Sequence, residues 1–199
     1  RGLKNAKPND TVLISCVDEV PRPEKILEWK DKPGKHKVFM QDLCYYYLNY
    51  VSYNSEKWMG TQMYTYRDLQ TFPSAYIARF MPPDVEISDG GWHFSYMGGI
   101  KQIQKKLESF SHQEYNNKNY NTDEKIYKAI IEGKDFITSK MQFKIADDSF
   151  LPRYVITRKD KFSQLLINPT LLISKRKYYN VFAVQFISFL KGIKRKLLT

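Results

Sequence analysis

The sequence predicts an α/β domain in which helices flank a mixed β-sheet. Three observations carry that prediction. Residues 11–17, Thr-Val-Leu-Ile-Ser-Cys-Val, form a short β-branched apolar run, the pattern of a strand buried on both faces in a parallel or mixed sheet. Aromatic residues crowd residues 37–66, in a chain with 12 Phe, 15 Tyr and 3 Trp, and that density favours strands. Ile100, Ile103, Leu107 and Phe110 recur at spacings of three and four with lysines opposite, the period of an amphipathic helix.

Taken in order, the strand at 11–17 runs into Asp18-Glu19 and is stopped by Pro21 and Pro23. Those prolines suit the start of a short helix, Glu24 to Trp29. Asp31 to Gly34 reads as a turn. Residues 37–53 favour strands, and Lys57 to Tyr66 reads as a strand pair. Met81 to Asp84 is a loop, and Gly90-Gly91 leads into a strand at Trp92 to Tyr96, closed by Gly98-Gly99. After the Ile100–Phe110 helix, Asn121-Thr-Asp-Glu124 resembles a capping box. Ile126, Tyr127, Ile130 and Ile131 continue that second helix, and Gly133 suits its C-terminal cap. Residues 150–157 read as a last extended segment. Residues 1–174 thus form one domain, and 175–199 a basic amphipathic tail. Tyr178 to Leu190 is largely apolar between Lys175-Arg-Lys177 and the cluster Lys191, Lys194, Arg195 and Lys196. That arrangement suits either adsorption at an anionic membrane surface or a helix docked on the core.

Composition narrows the function classes. A net charge of +11 favours anionic partners: nucleic acid, acidic headgroups or phosphorylated small molecules. The basic residues are spread along the chain and no RNA-binding motif is present, which places nucleic acid well behind the other two. The two cysteines, Cys16 and Cys44, form no CxxC pattern, against a zinc site or a disulfide framework and for reduced thiols in a cytoplasmic setting. No apolar run reaches the roughly 20 residues of a membrane span. The chain opens Arg-Gly-Leu-Lys without Met, the start expected of a segment internal to a longer reading frame.

Three clusters could carry chemistry. Asp18 and Glu19 follow an apolar strand, where carboxylates can hold Mg²⁺ or Mn²⁺ or simply face solvent. Asp89-Gly-Gly-Trp-His-Phe-Ser-Tyr96 joins paired glycines, which permit close backbone approach, to Trp92 and Tyr96, whose rings can stack on a sugar. His93 there reads as a metal ligand, a proton-transfer group or a satisfied strand histidine. Ser111-His-Gln-Glu114 reads as a polar helix end, or as a place where His112 and Glu114 turn to one site.

In this order the clusters resemble glycosyltransferase family 17. The matching stretches are Asn9 to Pro23, Tyr46-Tyr-Leu-Asn49, Trp58-Met-Gly-Thr61, and Asp89 to Gly98 running on through Lys105-Lys-Leu-Glu-Ser-Phe-Ser-His-Gln-Glu114. The resemblance implies a GT-A-like mixed sheet, UDP-N-acetylglucosamine as donor, a glycan hydroxyl as acceptor and inversion at the anomeric carbon. It implies Mn²⁺ or Mg²⁺ on the diphosphate, with Asp18 matching the second Asp of the family's Asp-Val-Asp-Glu. Glu19, His93 and His112 complete the metal candidates. Asp89 and Glu114 are the candidate bases, ahead of Glu108. Trp58, Gly91, Trp92 and Tyr96 are the substrate-binding candidates. It also implies a preceding strand-helix portion that grips uracil and ribose, expected to be missing because the chain begins almost at the Asp18 strand. Location follows the source: cytoplasmic or at the inner membrane face in a bacterium or virus, the Golgi membrane in a eukaryote. Cys16 stands where the family has its first Asp, and a neutral thiol is a poor ligand for hard cations. An impaired or inactive glycan- or nucleotide-binding relative is therefore the alternative. Exchanging Cys16 for Asp separates the two, since a gain of Mn²⁺-dependent UDP-sugar binding marks a competent scaffold.

Overall fold

A computed structural model describes residues 2–109, 113–168 and 170. The tail at 175–199, Phe110 and His112 lie outside them. Strand β1 is Thr11–Ile14, β2 is Glu19–Pro21 and helix α1 is Pro23–Trp29. Strand β3 is Lys37–Tyr45, β4 is Tyr50–Ser52 and β5 is Trp58–Thr65. Two short helices follow, α2 (Tyr66–Leu69) and α3 (Ala75–Arg79), then β6 (Val85–Ser95) and α4 (Ile100–Ser109). Helix α5 is Asp123–Glu132, β7 is Phe143–Ile145, and α6 (Arg153–Ile156) and α7 (Lys159–Phe162) follow, with a 3₁₀ turn at Ser163–Leu165 after them.

Mixed α/β architecture is what the pattern predicted. Strand β3 lies at the centre. Gln41 pairs with Trp58 of β5 on one side and Gly91 of β6 on the other, and Cys44 pairs with Val51 of β4 and Phe94 of β6. Strands β4 and β5 therefore share one flank of β3, and β6 takes the opposite flank. Of these pairings only β3 with β6 is parallel; β1 continues from β5, β2 from β6 and β7 from β4, all antiparallel. The sheet curls, so that β2 and the start of β5 meet through side chains despite lying on opposite sides of β3.

Helices cover both faces. Met63 packs with Phe39 and Ile87 under Ile26 and Trp29 of α1, while the next residue on β5, Tyr64, packs with Leu69 of α2 and Ala78 of α3. The largest cluster joins Tyr46, Tyr50, Tyr96 and Phe143 to Ile103 and Leu107 of α4 and to Ile126 and Ile130 of α5. The aromatic density therefore serves packing between sheet and helices, worth about 1.5–3 kcal/mol per fully buried large side chain.

Several local expectations are corrected. The run at 11–17 makes an edge strand of four residues with Thr11 and Leu13 exposed, because among the described residues only β5 pairs with it. The expected strand pair at 57–66 is one strand, β5, with β1 on one side and β3 on the other, the β3 register shifting between Val38 and Met40. The cap of α5 is Thr122, whose hydroxyl accepts from Lys125 N at 3.3 Å, so Asn121 stands one position outside; Gly133 closes the helix at φ 70 as expected. Residues 150–157 hold the end of a 3₁₀ turn, Asp148–Phe150, and then α6, instead of an extended segment. Pro152 opens that helix, and Leu151 and Val155, four apart, both bury against Leu48.

Strand β6 carries a bulge where its register against β3 jumps from Phe39–Ile87 to Gln41–Gly91. Asp89, with φ 52, and Gly90 occupy the inserted stretch. A Cβ on Gly90 would sit 2.7 Å from Met40 N and 2.7 Å from Phe39 Cβ, and one on Gly91, at φ 134, 2.2 Å from Val20 O. Replacing Gly91 by Ala should cost about 1–3 kcal/mol from the backbone conformation alone, with the clash in addition, read as a lower urea midpoint.

His36 is buried, its Nδ1 3.1 Å from Pro82 O and its Nε2 3.1 Å from Gln62 Oε1. Burial pushes its pKa below the usual value of 6.5, and the two hydrogen bonds oppose that without reversing it. The unfolded chain therefore binds the proton first. The midpoint of thermal unfolding should hold steady above about pH 6.5 and fall as pH drops below it, with a shallower fall in His36→Gln.

Candidate functional site

Strands β3 and β6 run parallel and end at Tyr45 and Ser95. Ligands of open α/β sheets bind beyond the carboxyl ends of parallel strands, and polar side chains gather there. After β6, Gly98 and Gly99 turn the chain at φ 88 and 81, and α4 comes back over the strand end. Its Lys106 Nζ donates to Ser95 Oγ at 2.9 Å and to Asp18 Oδ2 at 3.0 Å, and lies 4.9 Å from the Tyr96 ring centroid. Tyr96 and Tyr46 both adopt left-handed backbone, φ 57 and 70, rare for large side chains and costly where it occurs. Tyr46 N donates to Ser95 O at 3.2 Å, which locks the two bends together.

Asp18 reaches this point because its carbonyl accepts Phe94 N at 2.7 Å, extending the β2–β6 ladder by one rung. Its side chain is 22% exposed. His93 Nε2 stands 3.9 Å from Asp18 Oδ2. Burial pushes the His93 pKa down against the pull of Asp18 and Glu19, so the imidazole is neutral near pH 7. Its Nδ1 is buried with no hydrogen-bond partner among the described residues, a loss of about 1–3 kcal/mol. The Trp58 ring lies over the imidazole at 4.5 Å and is itself partly open to solvent.

Glu19 is used inward. Its side chain is fully buried, Oε1 accepts Trp58 Nε1 at 3.0 Å and pairs with Arg79 of α3, and Oε2 accepts Cys16 N at 3.0 Å. Arg79 also reaches Ile14 O at 3.4 Å. One carboxylate thereby ties the end of β1, the start of β2, the start of β5 and α3.

These side chains do not fit a divalent cation. Among the described residues no three His, Cys, Asp or Glu side chains converge as a metal site. Glu19 has both oxygens committed, and the Asp18 oxygen nearest His93 already faces an ammonium. Burial, and then the Glu19 carboxylate, push the Cys16 thiol above its usual pKa, leaving a neutral sulfur where a hard cation wants oxygen.

Of the residues expected at one site, the structure brings together Asp18, Glu19, His93, Trp58 and Tyr96. It sends Trp92 and Asp89 elsewhere: Trp92 because side chains alternate along β6, and Asp89 because the bulge between Ile87 and Gly91 shifts it to the Trp92 side. Trp92 is 2% exposed, gives its indole N–H to Phe150 O at 2.9 Å and lies under Arg22 at 4.1 Å, so it packs the sheet and offers no open ring to a sugar. Asp89 pairs with that same Arg22 at 3.0 Å. Gly91 answers the close approach of β2. Glu114 is exposed on a 3₁₀ turn, Gln113–Tyr115, held to α4 through Gln113. A cavity of about 620 Å³ at the β4–β7 margin is lined by Asp42, Lys57, Lys144, Asp147 and Phe150 among others, and by none of the expected site residues.

Lys106, Ser95 and Arg79 escaped the sequence reading. Lys106 left a trace: at 100° per residue it falls about 60° around α4 from Ile103, closer to the apolar stripe than Lys101 or Lys105. Arg79 left none, since its partner lies sixty positions away in sequence.

Comparison with known proteins adds one match. Residues 2–170 fit the family model of glycosyltransferase family 17. No curated protein and no solved structure matches the chain.

Removing one member of a buried ion pair leaves the other charge uncompensated, at a cost of about 3–5 kcal/mol. Glu19→Ala should therefore lower the unfolding free energy by about 3 kcal/mol in urea titrations, with or without added Mn²⁺.

Proposed function

We propose a function on one premise: the chain belongs to glycosyltransferase family 17. The reaction is transfer of a sugar, N-acetylglucosamine, from a UDP-sugar to a glycan hydroxyl, with inversion. The observation that carries this reading is the cluster of Asp18, His93, Ser95 and Lys106 at the carboxyl ends of β3 and β6, where a GT-A-like sheet would hold a sugar nucleotide. Anion-binding and hydroxyl-binding groups stand side by side there, as a sugar diphosphate requires.

Each residue then has a task. Trp58, braced by Glu19 and by the His93 ring, turns its open side to the apolar face of a sugar ring. Asp18 Oδ1 accepts no hydrogen bond from the described residues and is free for a sugar hydroxyl. The acceptor oxygen attacks the anomeric carbon, the bond to the diphosphate breaks, and the electron pair leaves on UDP. A carboxylate takes the acceptor's proton. Glu114 is assigned that role over Asp89, because Asp89 is tied to Arg22 on the Trp92 side of β6, whereas Glu114 sits on the turn packed against the helix that carries Lys106.

UDP release from UDP-N-acetylglucosamine, measured over a panel of oligosaccharide acceptors, tests the assignment. Glu114→Gln should lower turnover by about 10²–10⁴-fold and leave UDP affinity unchanged, while Asp89→Asn stays close to wild type. Full turnover in Glu114→Gln removes it as the base.

A further inference from the structure

We propose that Lys106 is the resident cation of this site, holding the place beside Asp18 that a divalent ion would need and binding the diphosphate itself, so that nucleotide binding does not depend on metal. The proposal rests on the donor reading above and concerns what neutralises the donor's charge.

Three features of the geometry point to it. The ammonium is built into the site: Asp18 Oδ2 at 3.0 Å, just before β2, and Ser95 Oγ at 2.9 Å with the face of Tyr96 at 4.9 Å, at the end of β6, hold it from two sides. It is also accessible. An ammonium has three donors; two are spent on Asp18 and Ser95, the third is left for a ligand oxygen, and the Lys106 and Asp18 side chains are 33% and 22% exposed. Finally, a dication at Asp18 would have to expel that ammonium, and the neighbouring groups offer little in return. Glu19 is enclosed by Arg79, Trp58 and the Cys16 amide, and Cys16 brings sulfur where an oxygen is wanted.

In the transfer step the new bond joins the acceptor oxygen to the anomeric carbon. The bond from that carbon to the β-phosphate oxygen breaks, and its electron pair stays on UDP. The acceptor proton passes to Glu114. Lys106 keeps its proton throughout and presents a fixed positive charge to the oxygen on which negative charge grows, as preorganised cations do at transferring phosphates. Nothing is oxidised or reduced.

Calorimetric titration of the full chain with UDP, in EDTA and again in millimolar Mn²⁺, is the test. Wild type should bind UDP equally in both. Lys106→Met, which keeps most of the aliphatic stem, should lose about tenfold or more in EDTA, as expected for one charge-assisted hydrogen bond. It should recover part of that in Mn²⁺, because Asp18 is then open to a cation. Lys106→Arg should retain binding in EDTA, and it decides the matter together with wild type if the Met variant fails to fold. Wild-type binding that disappears in EDTA, or undiminished binding by Lys106→Met in EDTA, overturns the proposal and leaves the transferase reading standing. UDP bound under neither condition overturns both.

Discussion

The buried pairing of Glu19 with Arg79 is the constraint from which the site follows. A carboxylate with no solvent exposure must be compensated by charge and by hydrogen bonds together. Arg79, the Trp58 indole and the Cys16 amide supply both. Those partners come from α3, β5 and the turn after β1, so satisfying one charge closes the curled sheet on itself. Closing it sets the direction of the next residue back along the chain: with Glu19 drawn inward, Asp18 faces the carboxyl ends of β3 and β6.

The second carboxylate is thereby left with a different environment and a different use. Asp18 meets an ammonium from α4 and stays partly exposed, whereas Glu19 meets a guanidinium and is sealed. Two adjacent acids of the same chemistry part into an anchor and a contact point. The left-handed backbone of Tyr46 and Tyr96 is part of the same economy of space: bending both strands at one level lets α4 lie across their ends and deliver Lys106. Such strain persists only where surrounding packing over-determines it, and the tyrosine cluster under α4 and α5 provides that packing.

Cys16, where the family resemblance implies an Asp, reads differently once Lys106 is in view. A site that recruits a divalent ion needs several oxygen ligands at once. A site whose positive charge is carried by a lysine needs one carboxylate to orient it and one hydroxyl to share it, and Asp18 and Ser95 are those two groups. On the Lys106 proposal, Cys16 is the sequence mark of a changed cation more than of a failed enzyme.

Local information was enough for the mixed α/β class, α1, α4, α5 with its Gly133 cap, and the family. Proline stops, a 3.6-residue period and contiguous motif blocks all act within a dozen residues. Local information also drew Asp18, Glu19, His93, Trp58 and Tyr96 into one candidate set. What depended on partners distant in the chain was decided only by the tertiary structure. A short apolar run does not say whether it has one neighbour or two, so β1 read as buried and is an edge. Adjacent letters in Trp92-His93 read as one surface, yet a strand points them to opposite faces, and the β6 bulge places Asp89 with Trp92. A lysine on a helix reads as solvated until the fold brings it to a carboxylate 88 positions away, because charge compensation acts through space and leaves almost no trace in local composition.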